Sequence, residues 1–199
     1  MWVIGLNLGL KGGGGGGSAP RPPNLLSDPN DLTGPAWSSN GINFSGNTIT
    51  ADGTNSTHRV RQDITTSLAT NYVLEADVEN IDATAICLVL TNSSFAGNFT
   101  VIVVDPSTWT ISQSQAGVGA VDWGDPDPER SVTALGGGVY RLRLAARATG
   151  TKAFTNAAVT LLPQTTANNF DAGTSTGYPQ TTATGSATVS EMYLYEEPA

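Results

Sequence analysis

His58 and Cys87 are the only histidine and the only cysteine in 199 residues, which narrows the available chemistry at once. A serine–histidine–aspartate relay would have to run through His58, and no Gly-x-Ser-x-Gly elbow presents a nucleophile to it. One imidazole and one thiol are too few for a tetrahedral zinc site, and a lone cysteine closes no internal disulfide. His58 lies in the polar stretch Ser56-Thr57-His58-Arg59, where it reads as an exposed strand residue. Cys87 lies in the apolar run Ala85-Ile86-Cys87-Leu88-Val89-Leu90, where it reads as a small buried hydrophobe rather than a reactive thiol. The segment Asp122-Trp123-Gly124-Asp125-Pro126-Asp127-Pro128-Glu129 offers closely spaced carboxylates, the raw material of a calcium site or a glycosidase acid/base pair. Its spacing is not that of an EF-hand and its prolines restrict the backbone, so a solvated acidic loop is expected, with structural Ca²⁺ as the alternative. Asp52, in Ala51-Asp52-Gly53-Thr54, reads as a turn residue, with a structural ion ligand as the alternative. No convincing catalytic pair emerges, so a non-enzymatic protein without a cofactor is expected.

Binding chemistry has better material. Sugar rings are gripped by exposed aromatic faces, with polar side chains reaching the hydroxyls. Trp109, Trp123 and Tyr178 lie in polar, turn-rich surroundings and are the candidate glycan-binding residues, ordinary packing being the competing reading. The formal charge of -8 and pI of about 4.4 argue against nucleic acid, which wants a basic surface. No stretch approaches the roughly 20 apolar residues needed to cross a bilayer, so membrane insertion is not expected. Residues 1–10 lack the basic start of a secretory signal and run into polyglycine, so they are expected to stay in the working protein.

The elements that must position these residues are strands. Only 13% of residues are charged, and Thr, Ser, Gly, Asn, Ala and Val dominate the remainder, a composition for pleated surfaces and turns rather than long helices. At the N-terminus Trp2, Ile4, Leu6, Leu8 and Leu10 alternate with Val3, Gly5, Asn7 and Gly9. This period of two makes an extended arm, 1–11, reaching about 33 Å with one large apolar face and no local partner. Gly12 to Gly17 and the proline cluster Pro20-Arg21-Pro22-Pro23 form a flexible linker, 12–23. A P-loop is excluded there, since no Gly-Lys-Ser/Thr follows. In 24–199, Tyr72, Leu74, Ala76 and Val78 share one face against Glu75, Asp77 and Glu79. Tyr140, Leu142 and Leu144 likewise oppose Arg141, Arg143 and Arg147. Ile86 to Leu90 reads as a strand buried on both faces, and Phe99–Val104 with Trp109–Gln113 as a hairpin. About nine to eleven short strands without helical periodicity imply a sandwich or jelly roll.

A series of landmarks runs through this region: Asn24-Leu25-Leu26 with Trp37 downstream, Ala51-Asp52-Gly53-Thr54, Tyr72-Val73-Leu74-Glu75-Ala76, Gly137-Gly138-Val139-Tyr140-Arg141-Leu142, and Met192-Tyr193-Leu194-Tyr195-Glu196. In order and spacing the series resembles the carbohydrate-binding-module-like jelly rolls of bacteriophage virion proteins and appendages. It departs from them at the end, where Leu194-Tyr195-Glu196-Glu197 replaces their Trp-Gly-Ala-Gln-type strand. The N-terminus is similar to short phage structural proteins that open on a Gly/Leu repeat before a flexible linker. The resemblance implies an all-β, carbohydrate-binding-module-like jelly-roll β-sandwich behind an N-terminal arm, located in the virion as a head fibre, capsid decoration or tail fibre component. It also implies that Trp37 belongs to the core.

Burying Trp2, Ile4, Leu6, Leu8 and Leu10 would yield roughly 8–15 kcal/mol in total. Ordering ten backbone residues costs on the order of 1–2 kcal/mol each, which nearly cancels that gain. The expected protein is therefore a homo-oligomer, a trimer by preference, whose arms act together on other virion proteins of the capsid, portal, neck or tail. The competing expectation is a free or secreted carbohydrate-binding module of a polysaccharide-degrading system.

Overall fold

The computed structural model describes residues 21–92, 99–116, 120–122, 130–148, 153–165 and 182–197. The arm 1–11 and most of the linker lie outside these residues. The strands are β1 (Trp37–Asn40), β2 (Ile42–Ser45), β3 (Thr48–Ala51), β4 (Arg59–Asp63), β5 (Asn71–Glu79), β6 (Ala85–Thr91), β7 (Phe99–Asp105), β8 (Thr110–Ala116), β9 (Ala120–Asp122), β10 (Arg130–Gly136), β11 (Val139–Ala148), β12 (Asn156–Leu162) and β13 (Ser186–Glu196). They form two antiparallel sheets: a six-stranded one, β1-β4-β12-β6-β7-β8, and a seven-stranded one, β10-β11-β5-β13-β3-β2, with β9 added beside β11. The fold is all-β, in the arrangement of a β-sandwich. The strand count exceeds the sequence expectation because short polar segments such as Arg59–Asp63 also pair: Val60 and Gln62 turn inward while Arg59, Arg61 and Asp63 stay more exposed.

The core lies between the sheets. Tyr72, Leu74, Ala76 and Val78 of β5, with Leu142 and Leu144 of β11, face Ile86, Leu88 and Leu90 of β6 and Val159 and Leu161 of β12. Trp37 joins this core, and its indole N–H donates to the Asp28 carbonyl at 3.0 Å, so the ring is buried without stranding its polar atom. The alternation read in β5 and β11 is thus the physical division between core and outer face. β6 is buried along its whole length. Its other face carries a second apolar layer, in which Ala85, Cys87 and Val89 meet Phe99, Val101, Val103, Ala158 and Leu162.

Pairing along the chain is nested. β3 pairs with β13, β4 with β12, β5 with β11 and β6 with β7, so early strands meet late ones in reverse order. β13 keeps its apolar side inward only through an irregularity between Val189 and Glu191. Before it Ala187 and Val189 face the core; after it Met192 and Leu194 do, leaving Glu191, Tyr193 and Tyr195 outside.

Candidate functional site

Trp109 stands at one end of the sandwich, beside Tyr140 at the start of β11, whereas Asp122 pairs with Ala146 at the other end of that strand. The turn joining β7 to β8 is closed by Asp105, whose Oδ1 accepts from the Ser107 N–H at 2.8 Å and the Ser107 hydroxyl at 2.6 Å. The Trp109 N–H returns to the Asp105 carbonyl at 2.8 Å. Trp109 thereby ends the turn at φ +55°, a left-handed conformation that costs a bulky L residue about 1–2 kcal/mol. Stacking offsets part of that cost, because the Trp109 ring lies 3.5 Å from Tyr140, nearly parallel at 7°. Trp109 is half-buried: it packs against the core, as the competing reading expected, and Tyr140 is stacked on one face of its ring.

The loop leaving β5 approaches the same turn. Asp82 accepts from both the N–H and the hydroxyl of Ser186 through Oδ1, the hydroxyl at 2.9 Å. Its Oδ2 has no partner among the described residues. Between this loop and the 105–107 turn lies an open recess of about 330 Å³, lined by Ile81, Asp82, Thr84, Asp105, Pro106 and Thr165, among others. Such a recess sits at the small end of ligand-pocket sizes, roughly 300–1,000 Å³, with room for one or two sugar rings. Its carboxylates and hydroxyls suit sugar hydroxyls, and Ile81 and Pro106 offer apolar surface to ring C–H groups.

The hydrogen bond from the Ser107 hydroxyl, followed by that from the Ser107 N–H, holds the Asp105 carboxyl below the ordinary carboxylate range. Asp52 is lowered in the same way, first by the Thr54 hydroxyl and then by the Thr54 N–H. A depressed carboxyl stabilises the fold fully above its unfolded value of about 3.9 and loses that contribution only as the pH falls through the lowered value. The amide proton of Ser107 is therefore expected to keep a constant NMR shift from pH 7 down to about pH 4 and to move only below it. Movement between pH 5 and 7 would contradict this turn.

The other sequence candidates fall differently. Trp123, Tyr178, the arm residues Trp2, Ile4, Leu6, Leu8 and Leu10, and all of the acidic stretch after Asp122 lie outside the described residues. Among the described residues, no group of three or more His, Cys, Asp or Glu is placed to hold a metal ion. Cys87 is fully buried, and desolvation pushes its thiol well above the ordinary range. His58 corrects the sequence expectation: it is not exposed but completely buried. Its carbonyl accepts from the Leu161 N–H at 3.0 Å, drawing the residue in beside β12. The ring passes beneath the bare backbone of Gly41, where an added Cβ would lie 3.1 Å from His58 Cδ2. Its Nε2 lies 3.3 Å from Asp52 Oδ1. The polar neighbours in sequence gave no sign of this, because the cover comes from β12 and from the turn after β1.

The chain matches no known family model and no curated protein. Chemistry and geometry alone therefore point to what this end of the molecule does. Sequence reasoning singled out Trp109 but neither Asp82 nor Asp105, whose loops are brought to one recess only by the fold. Tyr140 read as one more core position of β11.

Proposed function

We propose that this chain is a non-enzymatic bacteriophage virion structural protein, a head fibre, capsid decoration or tail appendage, anchored through its apolar N-terminal arm. Its sandwich is a carbohydrate-binding-module-like jelly roll that binds host or environmental glycans at the loop end carrying Trp109. The observation that carries the binding half is the Trp109–Tyr140 stack, held by the same turn that walls a polar recess between Asp82 and Asp105. Nested pairing of β3 with β13, β4 with β12, β5 with β11 and β6 with β7 supports the jelly-roll reading, since it is the pairing of one long hairpin rolled into two sheets. Burial of both His58 and Cys87 supports a non-catalytic role, because neither is presented to a substrate. The arm supports oligomerisation, a trimer by preference, with the arms seated in capsid, portal, neck or tail proteins.

A glycan array tests the binding half. The full chain is expected to retain a subset of glycans, and W109G to lose at least about tenfold in affinity for them, or about 1.4 kcal/mol. Glycine relieves the positive φ but removes a ring packed against the core, so W109G is expected to fold with a lowered melting point, and binding is compared well below it, with circular dichroism confirming the fold. No retained glycan, or retention undiminished in W109G, defeats the assignment. A free or secreted carbohydrate-binding module would share this recess; mass spectrometry of purified particles separates the two, finding the chain in the particle only if it is a virion component.

A further inference from the structure

Arg21 belongs to the proline cluster of the linker, yet it is seated on the outer face of the seven-stranded sheet. Its Nη2 lies 2.5 Å from Glu75 Oε2 and its Nη1 3.1 Å from Glu191 Oε2. The guanidinium carbon is 4.3 Å from the centroid of the Tyr193 ring. The hydroxyl of Tyr193 donates to the Pro22 carbonyl, so the tyrosine holds both the side chain and the backbone of the same segment.

The receiving groups are built into the sheet. Glu75 and Glu191 lie on adjacent strands, and Tyr193 is the Cα partner of Glu75 across β5 and β13. The side chain of Glu75 is only 9% exposed. Arg141 is bound to Asp77 through two 2.7 Å hydrogen bonds, and Arg143 donates to Glu197 at 2.8 Å. Both also approach Glu75, at 3.9 and 3.7 Å. Glu75 and Glu191 thus also stand within ion-pair distance of the β11 arginines, Glu191 at 3.9 Å from Arg141. A planar fork meeting two carboxylates while lying over an aromatic face is the arrangement that distinguishes arginine from lysine.

We propose that Glu75, Glu191 and Tyr193 form a guanidinium-binding socket, filled by Arg21 of the same chain, which fastens the linker to the sheet. The socket is specific for guanidinium, so that when Arg21 is removed it accepts a small guanidinium ligand from solution. Its role is to fix where the linker joins the domain. This assignment stands apart from the glycan reading, since the socket and the recess share no residue.

The test uses the full chain and methylguanidinium as the probe. R21A is expected to melt about 2–4 °C lower, and low-millimolar methylguanidinium to restore most of that shift saturably. R21K is expected to recover only part of it, because an ammonium cannot engage both carboxylates and the ring as the planar fork does. A second variant pair, R21A with Y193A, should show no rescue. Backbone hydrogen exchange at Leu25, whose N–H donates to the Leu194 carbonyl at 2.7 Å, should quicken in R21A and slow again with the probe. Wild-type melting and exchange in R21A would overturn the proposal. So would a loss that methylguanidinium repairs no better than methylammonium, or equally well without Tyr193.

Discussion

G185A is expected to destabilise the domain severely, by about 2–6 kcal/mol. Gly185 sits at φ +90° immediately before β13, and a Cβ there would lie 2.6 Å from the Ala83 Cα, 2.8 Å from its nitrogen and 2.8 Å from the Asp82 carbonyl oxygen. These are backbone atoms, so no side chain can swing aside. Backbone strain of about 1–3 kcal/mol adds to overpacking of similar size, roughly 2–6 kcal/mol in all, against a typical domain stability of about 5–15. The loop that must retreat also carries Asp82, whose bonds to Ser186 register the start of β13. Urea unfolding should show the loss, with G46A as the control: Gly46 has φ +57° but open space around it, so alanine there costs only about 1 kcal/mol. A G185A protein within 1 kcal/mol of wild type would contradict the packing described at this loop.

Deleting residues 1–11 is expected to abolish assembly while leaving the sandwich intact. The described contacts of the domain begin at Arg21, and the arm's strand pattern, large on one side and small on the other, is complementary to a groove or a sheet edge. On the function proposed above, one arm gains little once its backbone ordering is counted, so several arms would act together, and losing them all is expected to remove the attachment. The truncated chain should melt within about 1 kcal/mol of the full one, yet be at least tenfold depleted from particles by quantitative mass spectrometry. Undiminished incorporation would rule out the arm as anchor. Light scattering on the full chain tests the trimer.

Much of the fold was legible because local pattern and burial coincide. The alternation in Tyr72–Glu79 and Tyr140–Arg147 divides core from outer face, and the unbroken apolar run of β6 marks a strand covered on both sides. What stayed hidden depends on partners distant in sequence. His58 is buried by β12 and Gly41, not by its neighbours. The alternation of β11 set Arg141 and Arg143 on its outer face but not their partners, which β5 and β13 supply as Glu75, Asp77 and Glu191. The irregularity in β13 reverses the phase of its alternation midway, which a single-period reading of Val189–Tyr195 cannot capture. For the candidate site the aromatic residue was visible and its companions were not, since Asp82 and Asp105 approach each other only through folding.

The nested pairing also sets a timetable. β3 and β5 emerge early from the ribosome, but both take β13 as a neighbour, and β13 is the last described strand to be made. At about 5–20 residues per second, the early half of the chain waits several seconds with its apolar faces open. Until Ser186–Glu196 arrives, β3 and β5 present unpaired edges to whatever is nearby, including other nascent copies. Chains truncated before Ser186 are therefore expected to clump more readily than the full chain, since β3 and β5 then lack their shared neighbour.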